Sequence, residues 1–226
     1  MDPSEGEYSV ADALPHTAVE RLNAGTNLLL LGPETDTMRS VAEDIIAMAP
    51  EHTEGAVWIS LEGDIAWLID DFADDPNALA SLSIIEGSGK SEEIEGLDPN
   101  QRFAVDSPKQ LTDLGMALIE YEDTRGGSFD GSRIVFDSIT TLLANAGENR
   151  VFEFIAAFSG RIRVEKNLGI WLMNSGEHSQ ETVTVFRELF DIVVELPTDD
   201  DSDEIIVEEE AGDTGDWVSK EATRVE

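Results

Sequence analysis

Cysteine is absent from the 226 residues, which excludes disulfide frameworks and thiolate metal sites. Histidine occurs three times, at His16, His52 and His178, too scattered for a His-rich metal site. Positive charge is scarce: 14 Lys and Arg stand against 49 Asp and Glu, a formal net charge of −35. Non-specific nucleic-acid affinity comes mainly from cation–phosphate contacts, and no basic stripe exists to make them, so no nucleic-acid partner is expected. No apolar run approaches the roughly 18 residues of a membrane span. The N-terminus MDPSEGEYSV has neither the basic region nor the apolar core of an export signal. A cytoplasmic protein with no membrane partner is the expectation.

What is present is acid, spread over every segment rather than gathered in a tail. The hydrophobic fraction of 41% is ample for a folded core, so disorder is not the reading. Such a chain repels itself at low salt. At about 1 M salt the Debye length falls to roughly 3 Å and the repulsion is largely screened. Arg outnumbers Lys, and the whole pattern is that expected of a cytoplasmic protein from an extremely halophilic archaeon.

Apolar strands alternate with helical patterns along the chain. Residues 1–9 read as a flexible N-terminal arm, residues 10–210 as one domain, and residues 211–226 as an acidic C-terminal extension. Helices are expected at 11–22, 64–72, 107–121 (with Ser107 as its cap), 149–165 and 183–189. Strands are expected at 28–31, 56–61, 82–85, 133–136 and 169–173. Segments 192–196 and 204–209 form a terminal β-hairpin across the acidic turn PTDDDSD. Residues 87–102 read as a long surface loop. Nearly all-apolar strands separated by helices indicate an α/β fold whose mostly parallel sheet is covered on both faces.

The stretch LLLLGPETDTMRSVAEDIIAM, Leu28 to Met48, has the shape of a phosphate-binding loop without its chemistry. Such a loop reads G-x-x-x-x-G-K-[ST]: Gly leaves backbone room around phosphate, Lys reaches the β/γ-phosphates, and the hydroxyl holds Mg²⁺. Counted from Gly32, the second Gly becomes Thr37, the Lys becomes Met38 and the hydroxyl becomes Arg39. A shift of one residue offers Arg39 as the cation and Ser40 as the hydroxyl, still without the second Gly. Glu34 and Asp36 add two carboxylates beside the phosphate path. A second fragment, Gly87-Ser-Gly-Lys-Ser91, contains GKS but has Ile84 where the first Gly is required. It is read as a chance match in a loop.

Together, GTNLLLLGP, VWISLEGDIAWLIDDF, SRIVFDSITTLLANAG and GIWLMNSGEHSQETVTVFRELFDIVVEL resemble the KaiC-like branch of the RecA ATPases. The resemblance runs from about Ala11 to Glu209. Residues 133–196 are most similar to archaeal RecA-superfamily relatives that have drifted from the ATPase consensus, some of them labelled HTR-like. It implies a RecA-like fold, and it gives Asp137 the position of the Mg²⁺-binding aspartate. Glu62 stands in the place of a pair of glutamates, one of which polarises the attacking water, its neighbour here being Gly63. Asn174, with Ser175, stands where the superfamily senses the γ-phosphate. Gly32, Thr37, Arg39, Ser40, Glu62, Asp137 and Asn174 therefore make a remnant nucleotide pocket. Gly32, Glu62, Asp137 and Asn174 are expected along one sheet edge, where α/β sheets bind ligands.

Each residue also has a plain structural reading. Asp137 at a strand end suits a turn, Asn174 a loop start. Arg161 and Arg163, with Lys166 beyond, could serve a neighbour's nucleotide in an oligomer. They are read instead as pairing locally with Glu153, Glu165 and other acids. With the phosphate-binding lysine and the second glycine absent, no catalytic residue, cofactor or metal is assigned. The leading expectation is a non-catalytic regulatory or signal-transduction module acting on a protein partner, with a homo-oligomer left open. The alternatives are a weak or unorthodox ATPase that binds ATP with Mg²⁺ through main-chain amides and Arg39, and a recombinase paralogue in DNA repair.

Overall fold

The structure, a computed structural model, describes residues 6–14, 19–49, 53–63, 65–89, 96–197, 205–211 and 216–220. Strand β1 (Glu7–Ser9) pairs antiparallel with β2 (Arg21–Asn23) in a two-stranded sheet at the base of the domain. The main sheet holds β3 (Asn27–Gly32), β4 (Glu54–Ser60), β5 (Leu82–Glu86), β6 (Arg102–Ala104), β7 (Gly131–Asp137), β8 (Leu168–Asn174), β9 (Ile192–Glu195), β10 (Ile206–Ala211) and β11 (Asp216–Lys220). Its order is β11-β10-β9-β3-β8-β7-β4-β5-β6. From β9 to β6 every pairing is parallel, and β10 and β11 add antiparallel to that edge.

Period-two alternation splits the apolar strand residues between the two faces. Leu28, Leu30, Ala56, Trp58 and Val135 lie on the face covered by α1 (Thr35–Ala47), α2 (Ala66–Phe72) and α3 (Pro76–Ser81). Leu29, Leu31, Val57, Ile59, Ile134 and Phe136 lie on the other. That second face is covered by α4 (Leu111–Thr124), α5 (Ile139–Asn145), α6 (Glu148–Glu165) and α7 (Gln180–Arg187). There Phe136 stacks on Trp171 with ring centroids 4.9 Å apart. Each fully buried aliphatic or aromatic side chain is worth about 1.5–3 kcal/mol, so the two faces dominate the fold's stability. Such strands, buried on both sides, are why the parallel sheet was legible as unbroken apolar runs.

Several local expectations are corrected. The helix read over 11–22 does not form among the described residues: 11–14 are turn and 21–23 are strand. Val10, Leu14, Val19 and Leu22 are all buried, and their spacing imitates a helical stripe although tertiary packing collects them. The long loop over 87–102 ends in β6, beside a single turn of 3-10 helix at Pro99–Gln101. Helix α4 starts at Leu111 with Gln110 as its N-cap, while Ser107 accepts from Lys109 N in the preceding turn. Helix α3 has Asp75 at its N-cap, accepting from Asn77 N and Ala78 N, with Pro76 in its first turn. Residues 7–9 and 216–220, assigned to an arm and an extension, are strands; Tyr8 is buried and donates to the Lys166 carbonyl at 2.8 Å. His16, His52, Lys90, Ser91 and most of the acidic hairpin turn lie outside the described residues.

Candidate functional site

At the carboxyl ends of the parallel strands, Gly32 is in register with Asn174, and Ser60 with Asp137. Glu62 follows β4 by two residues. The four strand-end residues therefore share one edge of the sheet. Gly32 lies close to the chain after β9: a Cβ there would stand 3.3 Å from the Leu196 Cβ, a tight contact.

The connection after Gly32 is only Pro33 and Glu34, and α1 begins at Thr35. Thr37, aligned with the second loop glycine, is already helical and exposed. Met38, aligned with the lysine, is fully buried under α1, since the helical phase that sends Ala42 and Ile45 to the core sends Met38 there too. Arg39, one step round the helix, projects to the strand ends. Its Nε donates to Asp137 Oδ2 at 2.7 Å and its terminal nitrogen to Oδ1 at 3.2 Å and to Glu62 Oε2 at 3.1 Å. Asp36 is 3.9 Å from the same guanidinium. The fork of Arg matches a carboxylate with two parallel bonds, as ammonium cannot.

The surrounding bonds hold this knot in place. Thr141 Oγ1 donates to Glu62 Oε1 at 2.9 Å, and Ser138 caps α5 by accepting from Thr141 N. The Asp137–Ser138 peptide bond is cis. Asn174 Nδ2 donates to the Pro33 carbonyl at 2.9 Å and to Thr35 Oγ1 at 3.3 Å, while its Oδ1 accepts from Gly176 N. Asn174 N donates to Thr140 Oγ1, which also bonds His178 Nε2. Asn174 thus both starts its loop and stitches down the short connection after β3. Thr140, Thr141, Ser138 and His178 were not singled out from the sequence. The hydroxyl run SITT after Asp137 was the only available signal.

Burial pushes the Asp137 carboxyl above its ordinary range despite the opposing pull of Arg39; Glu62 adds to the rise. The buried Trp58 indole N–H faces the same carboxylate without hydrogen-bond geometry. Burial would lower the Arg39 pKa, but Asp137 and Glu62 together raise it, so its charge is fixed. Beside the knot is a cavity of about 360 Å³ lined by Asp36, Arg39, Ser40, Glu43, Glu62 and Trp67. Arg39, Glu62 and Asp137 are therefore brought together; Gly32 and Asn174 adjoin them; Ser40 is exposed on the cavity rim, and Thr37 is not among its lining. Among the described residues no group of three His, Asp or Glu converges to hold a metal ion. No helix among them is long and apolar enough to cross a membrane.

Of the other flagged cations, both arginines are paired with acids. Arg161 binds Glu122 from α4, with Glu165 at 3.8 Å, and Arg163 binds Asp191 at 2.8 Å. In the GKS segment, Gly87 is packed tightly against Leu61 and Leu114, and Ser88 donates to Glu86.

A family model described as a family of unknown function, DUF7504, matches residues 25–196. The chain belongs to this family. The matched span contains every residue of the Arg39 knot and all seven parallel strands. No curated protein matches the chain. Among solved structures, the chain is similar to a Pyrococcus horikoshii OT3 protein, PH0250, at 13% identity and TM-score 0.57, over 90% of this chain and 94% of that one. It is also similar to the KaiC-like protein PH0186 of the same hyperthermophilic archaeon, at 16% identity and TM-score 0.56, over 88% and 85% of the chains. At such identities the likeness establishes a KaiC/RecA-like fold for this DUF7504 chain, and function must be argued from the site.

Proposed function

We propose that this chain is a non-catalytic KaiC/RecA-like regulatory or signal-transduction module of the halophilic archaeal type, acting through protein contacts. The observation that carries the reading is Arg39, spread across both oxygens of Asp137 and reaching Glu62. Mg²⁺ at a strand end needs those carboxylate oxygens together with phosphate oxygens, and a guanidinium already covers them. The two-residue connection offers no glycine-rich cradle of backbone N–H groups. An incoming phosphate would also meet Asp36 and Glu62. At an effective dielectric of about 20, one like-charge contact at 4 Å costs about 4 kcal/mol, or roughly three orders of magnitude in affinity. The residues present do not fit Mg²⁺–ATP.

A weak ATP-binding protein is the second reading, favoured by one fact: Arg39 is a cation at the edge where such sheets take ligands. It would first have to leave two carboxylates, one of them nearly sealed from water. Isothermal titration with ATP and Mg²⁺ in molar KCl separates the readings. The expected result is no saturable binding at micromolar ATP and no hydrolysis above background. Micromolar binding abolished by Arg39→Ala or Asp137→Ala would overturn the first reading in favour of the second.

The halophilic part of the proposal rests on the net charge of −35. Self-repulsion at low ionic strength should unfold or inactivate the protein on dialysis to tens of millimolar salt, and molar KCl should protect it. A thermal midpoint unchanged across that range would remove the halophilic assignment.

A further inference from the structure

The protein's few cations are unevenly spread over its surface cavities. The cavity at the carboxyl edge contains Arg39, and a cavity of about 470 Å³ at the amino edge is lined by Arg21 and Arg163 facing Asp191 and Glu209. In both, each arginine already meets carboxylates of the chain itself. A third groove, of about 600 Å³, runs between the end of β6 and the outer flank of α4, and its lining holds no Lys or Arg. Asp106, Asp113, Glu120 and Asp123 line it, all exposed, and among the described residues none of the four is ion-paired. Asp113 accepts one bond, from Gln110.

In the middle of these acids is Met116, 57% exposed and flanked by Ile119. Positions 113, 116, 120 and 123 follow the three-and-four spacing of one helix face, so the acids and the methionine form a single outward stripe. Like charges at that spacing oppose the helix that carries them, and a large exposed apolar side chain gains nothing from water. Methionine is the adaptable apolar residue found at peptide-accepting surfaces.

We infer that this groove docks a basic segment of a partner protein, with an apolar side chain on Met116 and Lys or Arg side chains on Asp113, Glu120 and Asp123. The inference rests on the proposal that the chain works through protein contacts, and it says where. A second copy of the chain is the wrong occupant, because it brings the same acidic surface. In molar salt charges act over about 3 Å, so the pairing is read in direct contact and the apolar anchor sets the position.

The test uses the full chain in molar KCl, labelled with ¹³C at its methionine methyl groups. A short peptide alternating Lys and Leu is titrated against a Lys/Ser control of equal length. The expected result is saturable movement of the Met116 resonance with the Lys/Leu peptide, much smaller movement with the control, and steady signals from the core-packed Met38, Met48 and Met173. Glu120→Gln with Asp123→Asn, both exposed changes, should weaken the Lys/Leu peptide by about tenfold while the thermal midpoint holds. A stationary Met116, equal response to the control, or unchanged affinity in the double variant would overturn the inference. So would movement of Met116 with protein concentration alone, which would mean a second copy. ATP titration of the same sample reads the state of the nucleotide edge separately, so failure of the groove and failure of the proposed function remain distinct.

Discussion

Strand β7 carries an ionic knot at each end, both on the face beneath α1, and the two are built differently. At the amino end the side chain of Arg133 is 1% exposed. It donates to Glu54 at 2.6 Å and to the Ser9 and Ile45 carbonyls at 2.7 Å, under the Tyr8 ring at 5.5 Å. Ile45 belongs to the last turn of α1, where unpaired helix carbonyls welcome a cation. At the carboxyl end Arg39, 20% exposed, meets only carboxylates and borders a cavity. One charge balances one charge in the first knot; in the second, one cation faces Asp137, Glu62 and Asp36. The first is a staple holding the N-terminal strands, α1 and the sheet together. The second is a plug in which one guanidinium is outnumbered by the carboxylates around it at the carboxyl edge of the sheet.

Cutting the staple should have the larger effect. Arg133→Met leaves Glu54 in a setting where burial already pushes its carboxyl up, and strips two carbonyls of their donor. Removing one partner of a buried pair costs about 3–5 kcal/mol. Urea melts in molar KCl should show that loss of stability, and a loss near zero would mean the N-terminal strands hold without Arg133. Arg39→Ala should cost less, on the order of 2 kcal/mol, because water from the adjoining cavity can reach Asp137 and its carboxyl can take up a proton. Equal losses in the two variants would break the distinction between staple and plug.

The sheet was legible because its strands are buried on both faces, and each strand end followed from where an apolar run stops at Gly32, Asp137 or Asn174. The knot was not. Arg39 and Asp137 are 98 residues apart, and their meeting depends on helical phase: with only Pro33 and Glu34 between Gly32 and α1, Met38 turns inward and Arg39 reaches the strand ends. Counting from a loop motif orders those side chains but does not aim them, because their directions come from a helix that begins directly after Pro33 and Glu34. Thr141 was invisible for a related reason, since its partner Glu62 comes from another strand's end. Strand β6 escaped notice at three residues, its register fixed by Arg102 binding the buried Glu86 rather than by any pattern of its own. The terminal strands read as arm and extension show the same limit: pairing partners decide them, not composition.

Between its two clamped ends α1 also carries a contact that works against it, and this gives the smallest effect. Glu43, on the wall of the Arg39 cavity, faces Asp71 of α2, and burial with the neighbouring Asp71 and Asp44 carboxylates raises its pKa from 4.5 to about 7. The folded state therefore binds this proton more tightly than the unfolded chain does. Its contribution to stability is fully present below about pH 4.5, declines as pH rises through about 7, and is absent above. Other carboxyls that burial raises, including Asp137 and Glu54, tilt the whole profile the same way, so the informative quantity is a difference between variants. Glu43→Gln keeps a hydrogen-bonding group against Asp71 and removes the titration. Its thermal midpoint should match the parent near pH 4.5 and exceed it by a few degrees at pH 8, a small margin because Glu43 is only half-buried. Parallel midpoint curves over that range would mean that α1 and α2 meet without a shared proton, leaving the Arg39 and Arg133 knots as the ionic contacts that set how α1 sits on the sheet.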